Sequence, residues 1–481
     1  MSNFERTFGD VDSKEAFINQ LQEVVGQPES AQDFLGNEDL YLDLRYLTKN
    51  FVQKTWIKDL VAAVGDWEVN QHFPNLESPA DREIVLANLG FLFPKHFSLL
   101  KLSKYGALSS FGFTNACRIM LNPRSAKVLL DETLASPVLC SKLSPGLRMA
   151  ISFGATYYSL SDEVMLLISL ATNIPVHPTE QDTIVINAVN ERLRNLKHPK
   201  PQFRERHGGR TALLVAGQLR GPMSSLSEIR SKFALPNVDV FVSTWKRPGR
   251  IKIDRVRASR VFTPEAAQEA VKLSESQFAA LDNVVERSKA SEPDDLRKTI
   301  ADELGITDLD RINIQDEDVS VFNRMTNHEK MYFHNTYWPS TLGSGWLSSN
   351  YDYVIKARPD LRLETNGPLT LEDLRNTHGI ATESNGWKFE GWGLGLGDQL
   401  MYGRSDVMER LMSVWHSDSR SAFIRTSGLG RPWGLLGHSN LGIELWLSGH
   451  QPAKMKFKHR GYIGDPPIAV DELAKLIHSI E

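Results

Sequence analysis

Length, composition and charge describe an ordinary globular chain. It has 481 residues, of which 41% are hydrophobic and 24% charged, with a formal net charge of -4 at pH 7. This length exceeds one hydrophobic core, which predicts two domains, and the small net charge excludes a global attraction to nucleic acid or anionic lipid. The two cysteines exclude a disulfide framework and indicate buried thiols in a reducing compartment.

The amino-terminal residues and the longest apolar runs favour a cytoplasmic protein. Residues 1–15 are acidic and polar and lack the basic and apolar blocks of a signal peptide. The apolar runs at 84–93 and 164–171 are too short to span a bilayer. We therefore expect no transmembrane span, and peripheral contact with the inner face of a membrane stays open.

Residues 1–200 carry helical patterns. Apolar residues recur at helical spacing within residues 13–25, 43–64, 81–92, 125–134 and 162–172. This part contains neither residues at the spacing typical of metal ligands nor a phosphate-binding loop, so we interpret it as an α-helical accessory domain. Residues 201–209 belong to a polar, basic stretch broken by proline and glycine, which is typical of a linker.

Residues 210–481 form the second predicted domain, in which strands alternate with helices. The predicted strands are 211–216, 238–245 and 257–262, and the predicted helices are 224–233, 264–273, 276–289 and 323–338. A buried strand, a helix and a second buried strand, in that order, predict an α/β fold with a mostly parallel sheet flanked by helices.

Candidate ligand-binding residues follow the first two strands. Gly217, Gln218 and Arg220 come after the first strand, where the first turn of an α/β sheet commonly approaches a nucleotide. The turn matches neither the GxGxxG fingerprint nor a phosphate loop. Trp245 ends the second strand, where a base or ribose could stack. Arg324 could reach a diphosphate, or it could be an ordinary surface arginine.

Residues 351–362, YDYVIKARPDLR, predict a central strand that ends near Ala357. Pro359 stops the pairing because proline cannot donate to a central ladder. Arg358 and Asp360 therefore stand at a carboxyl end, where ligands bind in open α/β sheets. Asp360 is suited to hold a metal and Arg358 to meet an anion, and a salt-bridged strand end is the alternative interpretation.

A segment rich in glycine and tryptophan, at residues 386–397, follows the central strand. Trp387 and Trp392 offer flat faces that can stack on the sugar of an acceptor, and packing in a core is the alternative. Asp398 and Gln399 come next. The remaining predictions are strands at 379–382 and 400–403 and helices at 371–374, 405–415, 441–447 and 470–480.

Four short motifs in this order resemble one kind of enzyme. GQLRG at 217–221, DVFVSTW at 239–245, YDYVIKARPDLRL at 351–363 and GDQLMYG at 397–403 are followed by a helix that carries Glu444. Over residues 210–450 this order resembles bacterial glycosyltransferases of the WavE-like family of lipopolysaccharide and capsule biosynthesis, with a GT-A-type fold. Ser243 departs from the resemblance, since a histidine is expected there.

The resemblance implies a transferase that moves a sugar from a nucleotide-sugar donor to a glycan or glycolipid acceptor. It implies that Asp360 holds a divalent ion, Mn or Mg, although Arg358 replaces the first acid of the usual metal motif. By the same resemblance, the Asp398 and Gln399 pair faces the sugar. The predicted donor-binding residues are Gly217, Gln218, Arg220, Trp245, Arg324, Arg358 and Asp360, and the predicted acceptor-binding residues are Trp387, Trp392 and Gln399.

The chemistry of glycosyl transfer assigns further roles. A cation must stabilise the charge that develops on the leaving diphosphate, and a metal ion or an arginine can supply it. An inverting enzyme also needs a base for the acceptor hydroxyl. Asp398 is the first candidate and Glu444 the second. In a retaining enzyme, Asp398 would instead stabilise an oxocarbenium-like centre or act as the nucleophile.

Two alternatives stay open. The chain could be a non-catalytic binding or scaffold protein on a degenerate transferase fold, with the helical part docking a partner, or, less well supported, another nucleotide-dependent transferase such as a sulfotransferase. The zinc-protease motif HExxH and the GxSxG elbow are absent from the sequence. Convergence decides between enzyme and scaffold, because Asp360, Asp398 and the Arg220 turn must meet in one place in an enzyme.

Overall fold

The structure is a computed structural model, and the residues it describes lie in the carboxyl-terminal four-fifths of the chain. These are Ala87 and residues 98–480, apart from 105–106, 199–202, 221, 248–252, 254, 256–257, 289–292, 326, 365–366, 391–392, 414–436 and 463–466. The predicted helices at 13–25 and 43–64, and all but Ala87 of the one at 81–92, lie outside them. Among the described helices, none is both long and apolar enough to cross a bilayer.

The described residues before 200 are helical. The helices are α1 (Leu99–Lys104), α2 (Phe113–Met120), α3 (Pro123–Ala135), α4 (Pro137–Cys140), α5 (Pro145–Tyr157), α6 (Glu163–Thr172) and α7 (Glu180–Lys197). Local chemistry sets their starts. Asn122 caps α3 just before a proline, and Thr179 caps α7 in a reciprocal pair with Asp182. The predicted helices at 125–134 and 162–172 are confirmed.

The second part is an α/β structure around a seven-stranded sheet. Its strands are β1 (Thr211–Ala216), β2 (Val238–Trp245), β3 (Ile312–Gln315), β4 (Tyr353–Ala357), β6 (Ile380–Thr382), β9 (Leu400–Arg404) and β10 (Pro452–Ala453). They lie in the order β10-β6-β9-β4-β1-β2-β3, and the sheet is parallel except for β9, which runs antiparallel to both β4 and β6. The predicted α/β class with a mostly parallel sheet is confirmed.

Two short antiparallel strand pairs and twelve described α-helices surround this sheet. The pairs are β5 (Leu361–Glu364) with β11 (Lys458–Tyr462), and β7 (Lys388–Glu390) with β8 (Gly393–Gly395). The helices are α8 (Ser224–Lys232), α9 (Ala258–Val261), α10 (Pro264–Ala270), α11 (Glu275–Ser288), α12 (Pro293–Leu304), α13 (Ser320–Asn323), α14 (Asn327–Leu342), α15 (Trp346–Asn350), α16 (Leu371–Arg375), α17 (Ser405–Met412), α18 (Gly437–Leu447) and α19 (Val470–His478).

The third predicted strand was wrong. Residues 257–262 hold α9, and Phe262 makes only an isolated bridge to Ile468 outside the sheet. The third strand is β3, which pairs with β2 from Val242 to Trp245. It was missed because Asn313 and Gln315 give this four-residue edge strand a polar sequence, and its pairing with β2 decides its structure.

The helical part and the α/β part share one hydrophobic core. Buried residues of α2 to α7 pack together with Phe389, Leu394 and Trp446 of the second part. Arg192 on α7 donates to the carbonyl oxygen of Trp446 at 2.8 Å. Within the predicted linker, the backbone N–H groups of residues 206, 207 and 209 donate to the Asp352 carboxylate. The boundary at 201–209 thus stays a prediction, in a chain whose two parts are joined by buried contacts.

Candidate functional site

The candidate site lies where the strand order of the sheet reverses. β1 is followed by β2 on one side, whereas β4 lies on its other side, so the carboxyl ends of β1 and β4 flank a topological switch point. Gly217 continues β1 by donating to the Ser243 carbonyl oxygen at 3.0 Å. Its φ of 122° requires glycine, and the turn that it opens carries Gln218 and the exposed Arg220.

The Arg358-Pro359-Asp360 turn lies beside the Gly217 turn. A Cβ atom on Gly217 would stand 3.9 Å from Pro359, and the Ser225 hydroxyl at the start of α8 donates to the Pro359 carbonyl oxygen at 3.0 Å. The Arg358 guanidinium donates two hydrogen bonds, of 3.1 and 2.8 Å, to the Asp360 carboxylate, and the Asp360 side chain is fully buried. The geometry is that of a salt-bridged strand end.

This ion pair bears on the predicted metal site. Both Asp360 carboxylate oxygens accept from the Arg358 guanidinium, and the described residues contain no group of three His, Cys, Asp or Glu side chains that could hold a metal ion. The arrangement around Asp360 therefore does not fit a divalent ion while the pair is closed. Metal binding at Asp360 stays a prediction.

Asp398 and Gln399 reach the same edge because β9 runs antiparallel to β4. Ala357 pairs with Leu400, and beyond that pair the Arg358 N–H donates to the Gln399 carbonyl oxygen at 2.9 Å. Glu383, which follows β6, accepts the N–H groups of Gln399 and Leu400 at 3.2 Å each. The Asp398 turn, the Arg358-to-Asp360 turn and the Gly217 turn thus meet at one edge of the sheet.

Asp398 is buried there with an unused acceptor. Its side chain is 3% exposed, and Oδ2 makes no hydrogen bond in the structure. A buried carboxylate oxygen without a partner is costly, which makes Asp398 a candidate functional residue.

Sequence reasoning missed Lys356. This lysine is fully buried on β4, between Leu214 of β1 and Met401 of β9, and its ammonium donates to the Asp398 carbonyl oxygen. Burial lowers the pKa of Lys356 to about 8, and the negative charge of Asp398 opposes this shift because it raises the pKa. A lysine within the apolar run at 353–357, two residues before Arg358, was the signal that could have found it.

The low pKa of Lys356 predicts a rise in stability with pH. Between about pH 8 and the ordinary value of 10.5, the unfolded chain holds a proton on Lys356 that the folded chain has lost. The free energy of unfolding therefore increases with pH across that window, by on the order of 3 kcal/mol at about 1.4 kcal/mol per pKa unit. Urea unfolding from pH 7.5 to 10.5 measures this slope.

The matched variants are Lys356→Met and Lys272→Met. Lys272 is 71% exposed, so its replacement should keep the pH slope of the wild type, whereas Lys356→Met should remove the part due to the buried ammonium. An identical slope in wild type and Lys356→Met would contradict the lowered pKa.

The structure places a histidine beside Ser243, the position at which the resemblance leads us to expect a histidine. His334 on α14 places Nδ1 at 2.7 Å from the Ser243 hydroxyl, which also accepts from Asn313 at 2.9 Å. Burial lowers the pKa of His334 to about 3, so the ring is neutral. Trp245 packs on His334 at 4.2 Å and on Phe322 at 4.9 Å, and it is 3% exposed. That is the packing of a core residue, and stacking on a base stays a prediction.

The other predicted residues lie in different settings. Glu444 is buried and forms an ion pair with Arg410. It lies about 9 Å along α18 from the first turn of that helix, since an α-helix rises 1.5 Å per residue. Trp387 donates to Gln451 at 2.6 Å and packs against the shared core. Arg324 is exposed after α13. Trp392 lies outside the described residues.

His438 is a second residue that sequence reasoning missed. It lies in the first turn of α18, which Gly395 allows to approach closely, since a Cβ atom there would stand 3.4 Å from His438. Nδ1 lies 2.6 Å from the Leu396 carbonyl oxygen and 3.6 Å from Asp398 Oδ1. The side chain is 35% exposed. Only the fold connects it with Asp398.

A hollow of 280 Å³ lies at the opposite edge of the sheet, at the amino end of β2. Its Asp239 carboxylate pairs with Arg210 at 2.7 Å and with Arg311 at 2.6 Å. These charges satisfy one another, and His207 Nε2 on the lining of the hollow is buried without a hydrogen bond. The hollow lies away from the turns that meet at the switch point.

Comparison of the chain with family models, with curated proteins and with solved structures gave no match. The function must therefore be argued from the site itself.

Proposed function

We propose that this protein is a glycosyltransferase that moves a sugar from a nucleotide-sugar donor to a glycan or glycolipid acceptor of surface polysaccharide biosynthesis. One observation carries the proposal. The Gly217 turn, the Arg358-to-Asp360 turn and Asp398 converge at the switch point of a mostly parallel sheet. Ligands of open α/β sheets bind at that place, and the sequence motifs that resemble GT-A-type transferases supply the turns that meet there.

The charges at this edge suit an anionic donor. Arg220 is exposed on the turn after β1, and Arg358 is 14% exposed above its buried partner Asp360. Guanidinium groups bind phosphate oxygens in bidentate fashion. In the proposal, these two arginines hold the diphosphate and stabilise the charge that grows on it as the sugar leaves.

The sugar and the reacting hydroxyl would lie toward Asp398. The backbone that carries its carboxylate is fixed by the Lys356 hydrogen bond to the Asp398 carbonyl oxygen and by the Glu383 bonds to the next two N–H groups. A carboxylate held on a rigid strand end can orient a hydroxyl or a base within the proposed reaction. The acceptor would reach this end of the sheet from solvent.

Nucleotide binding tests the proposal. We expect one of UDP, GDP or CMP, at about a hundred times its dissociation constant, to stabilise the full chain by about 2.7 kcal/mol in a thermal-shift titration. Arg220→Gln should weaken that binding about 10- to 100-fold, because a hydrogen bond to a charged group contributes about 1.5 to 3 kcal/mol. Titrations with Mg²⁺, with Mn²⁺ and with EDTA decide whether the binding needs a metal.

The matched control is Arg230→Gln. Arg230 is an exposed arginine in the last turn of α8, away from the carboxyl ends of the strands, so its replacement should leave the affinity unchanged. Equal weakening by both replacements would mean nonspecific attraction to the nucleotide. Failure of every nucleotide to stabilise the wild type would favour the scaffold alternative.

A further inference from the structure

We propose that His438 is the general base of the transfer and that the buried Asp398 orients it, so that the two side chains form a dyad. This inference rests on the proposed function and moves the base from the carboxylate to the imidazole. Burial is the first reason. The Asp398 side chain is only 3% exposed, so it does not face an acceptor directly. The neighbouring His438 side chain, which lies against Asp398, is 35% exposed.

The hydrogen bonds of His438 define which nitrogen is basic. The Leu396 carbonyl oxygen, at 2.6 Å from Nδ1, can only accept, so Nδ1 carries the proton of the neutral ring. Nε2 is then the nitrogen with a free electron pair. Nδ1 also lies 3.6 Å from Asp398 Oδ1, which is longer than a hydrogen bond, so Asp398 acts on the ring through its charge. The Leu396 carbonyl oxygen and the Asp398 carboxylate both lie on the Nδ1 side of the ring, which leaves Nε2 as the nitrogen for the substrate.

Charged and titratable groups surround the dyad from several elements. Lys356 on β4 and Tyr332 on α14 both interact electrostatically with Asp398, and Glu383 after β6 interacts with Lys356. From α18 itself, Ser439 and Asn440 follow His438 in the chain, and their buried side-chain oxygens make no hydrogen bond in the structure.

The step balances as a direct displacement. Nε2 of His438 takes the proton of the acceptor hydroxyl while its oxygen forms a bond to the anomeric carbon. The bond from that carbon to the diphosphate oxygen breaks, and its electron pair leaves with the diphosphate. The positive charge on the imidazolium faces the Asp398 carboxylate until the ring returns its proton to solvent.

Donor hydrolysis, with water as the acceptor, tests the base. The full chain is incubated with UDP-glucose, UDP-galactose, UDP-N-acetylglucosamine or GDP-mannose, and the released diphosphate is measured. We expect His438→Ala to lower kcat about 10²- to 10⁴-fold, with little change in KM, and to regain turnover with added imidazole. Asp398→Asn should lower kcat while imidazole restores nothing.

The control is His378→Ala. His378 is exposed just before β6, at the opposite edge of the sheet, and its replacement should leave turnover unchanged. Wild-type turnover in His438→Ala, together with loss of turnover in Asp398→Asn, would overturn the proposal and make Asp398 itself the base.

A readout without activity separates this inference from the proposed function. Nitrogen NMR of the ¹⁵N-histidine-labelled chain, with His438→Ala to assign the signal, should find the proton on Nδ1, and Asp398→Asn should shift that nitrogen. A proton on Nε2 would overturn the dyad whatever the enzyme does. If none of the nucleotides stabilises the wild type, the transferase proposal fails and the base role fails with it, while the NMR result still decides the pairing.

Discussion

Replacing Arg358 with methionine should lower the free energy of unfolding by about 3 to 5 kcal/mol, the cost of leaving one member of a buried ion pair without its partner. Asp360 is fully buried, and Arg358 makes the two hydrogen bonds that satisfy its carboxylate oxygens. Methionine keeps the length of the side chain but removes every donor. Urea unfolding of the full chain, extrapolated to water, measures the loss.

Two further variants show whether the loss is due to the pair. Adding Asp360→Asn to Arg358→Met removes the orphaned charge, so the double variant should be more stable than Arg358→Met alone. Lys127→Met breaks the exposed pair with Asp131, 75% and 53% exposed, and should change stability by no more than about 1 kcal/mol. If Arg358→Met costs as little as Lys127→Met, the Asp360 carboxylate finds another partner, and a metal ion at Asp360 becomes the better explanation.

Truncating Trp446 to alanine should destabilise both parts of the chain, by about 3 to 5 kcal/mol. Trp446 is fully buried on α18, donates to the Thr156 hydroxyl at 2.8 Å and contacts the ring of Phe153 at 5.0 Å. Arg192 also lies over its ring. Because these partners are on α5 and α7, loss of the indole removes packing between the helical part and the α/β part.

Unfolding followed by circular dichroism and by tryptophan fluorescence tests how far the parts depend on each other. We expect the two transitions to coincide in the wild type and to shift together in Trp446→Ala. Val176→Ala, at a side chain that is 90% exposed, should leave both unchanged. A helical transition that keeps its midpoint while the rest is destabilised would show two independent domains, as the predicted linker at 201–209 implies.

The strands and helices with strong local patterns were predicted well. The runs at 211–216 and 238–245 are strands with the predicted bounds, and 353–357 is the central strand. Their apolar and β-branched residues favour a buried strand wherever they lie in the fold. The edge strand β3 was missed because its polar residues gain their structure from pairing with β2.

The predicted site residues divide along the same line. Gly217, Arg358 and Asp360 were named from the ends of their strands, which can be recognised locally, and Asp398 was named from the resemblance. The structure brings the four together at one edge of the sheet, and their roles stay predictions. The indole of Trp245 and the carboxylate of Glu444 were also recognised by type, yet their neighbours in the fold, Phe322 and Arg410, occupy them. The sequence gives the chemical type of each side chain, but it does not give the neighbours that the side chain contacts in the fold.

The sequence by itself determined the α/β class, the central strand and the turns at its carboxyl end, because residue types, periodicity and punctuation act over a few neighbouring residues. Only the tertiary structure decided that Arg358 closes on Asp360, that Lys356 is buried beneath Asp398, and that His438 lies against it. The contacts of Lys356 and His438 join residues up to 42 positions apart, through the antiparallel strand β9 and the first turn of α18. Such distances in the chain are closed by packing of the whole domain, which no local pattern specifies.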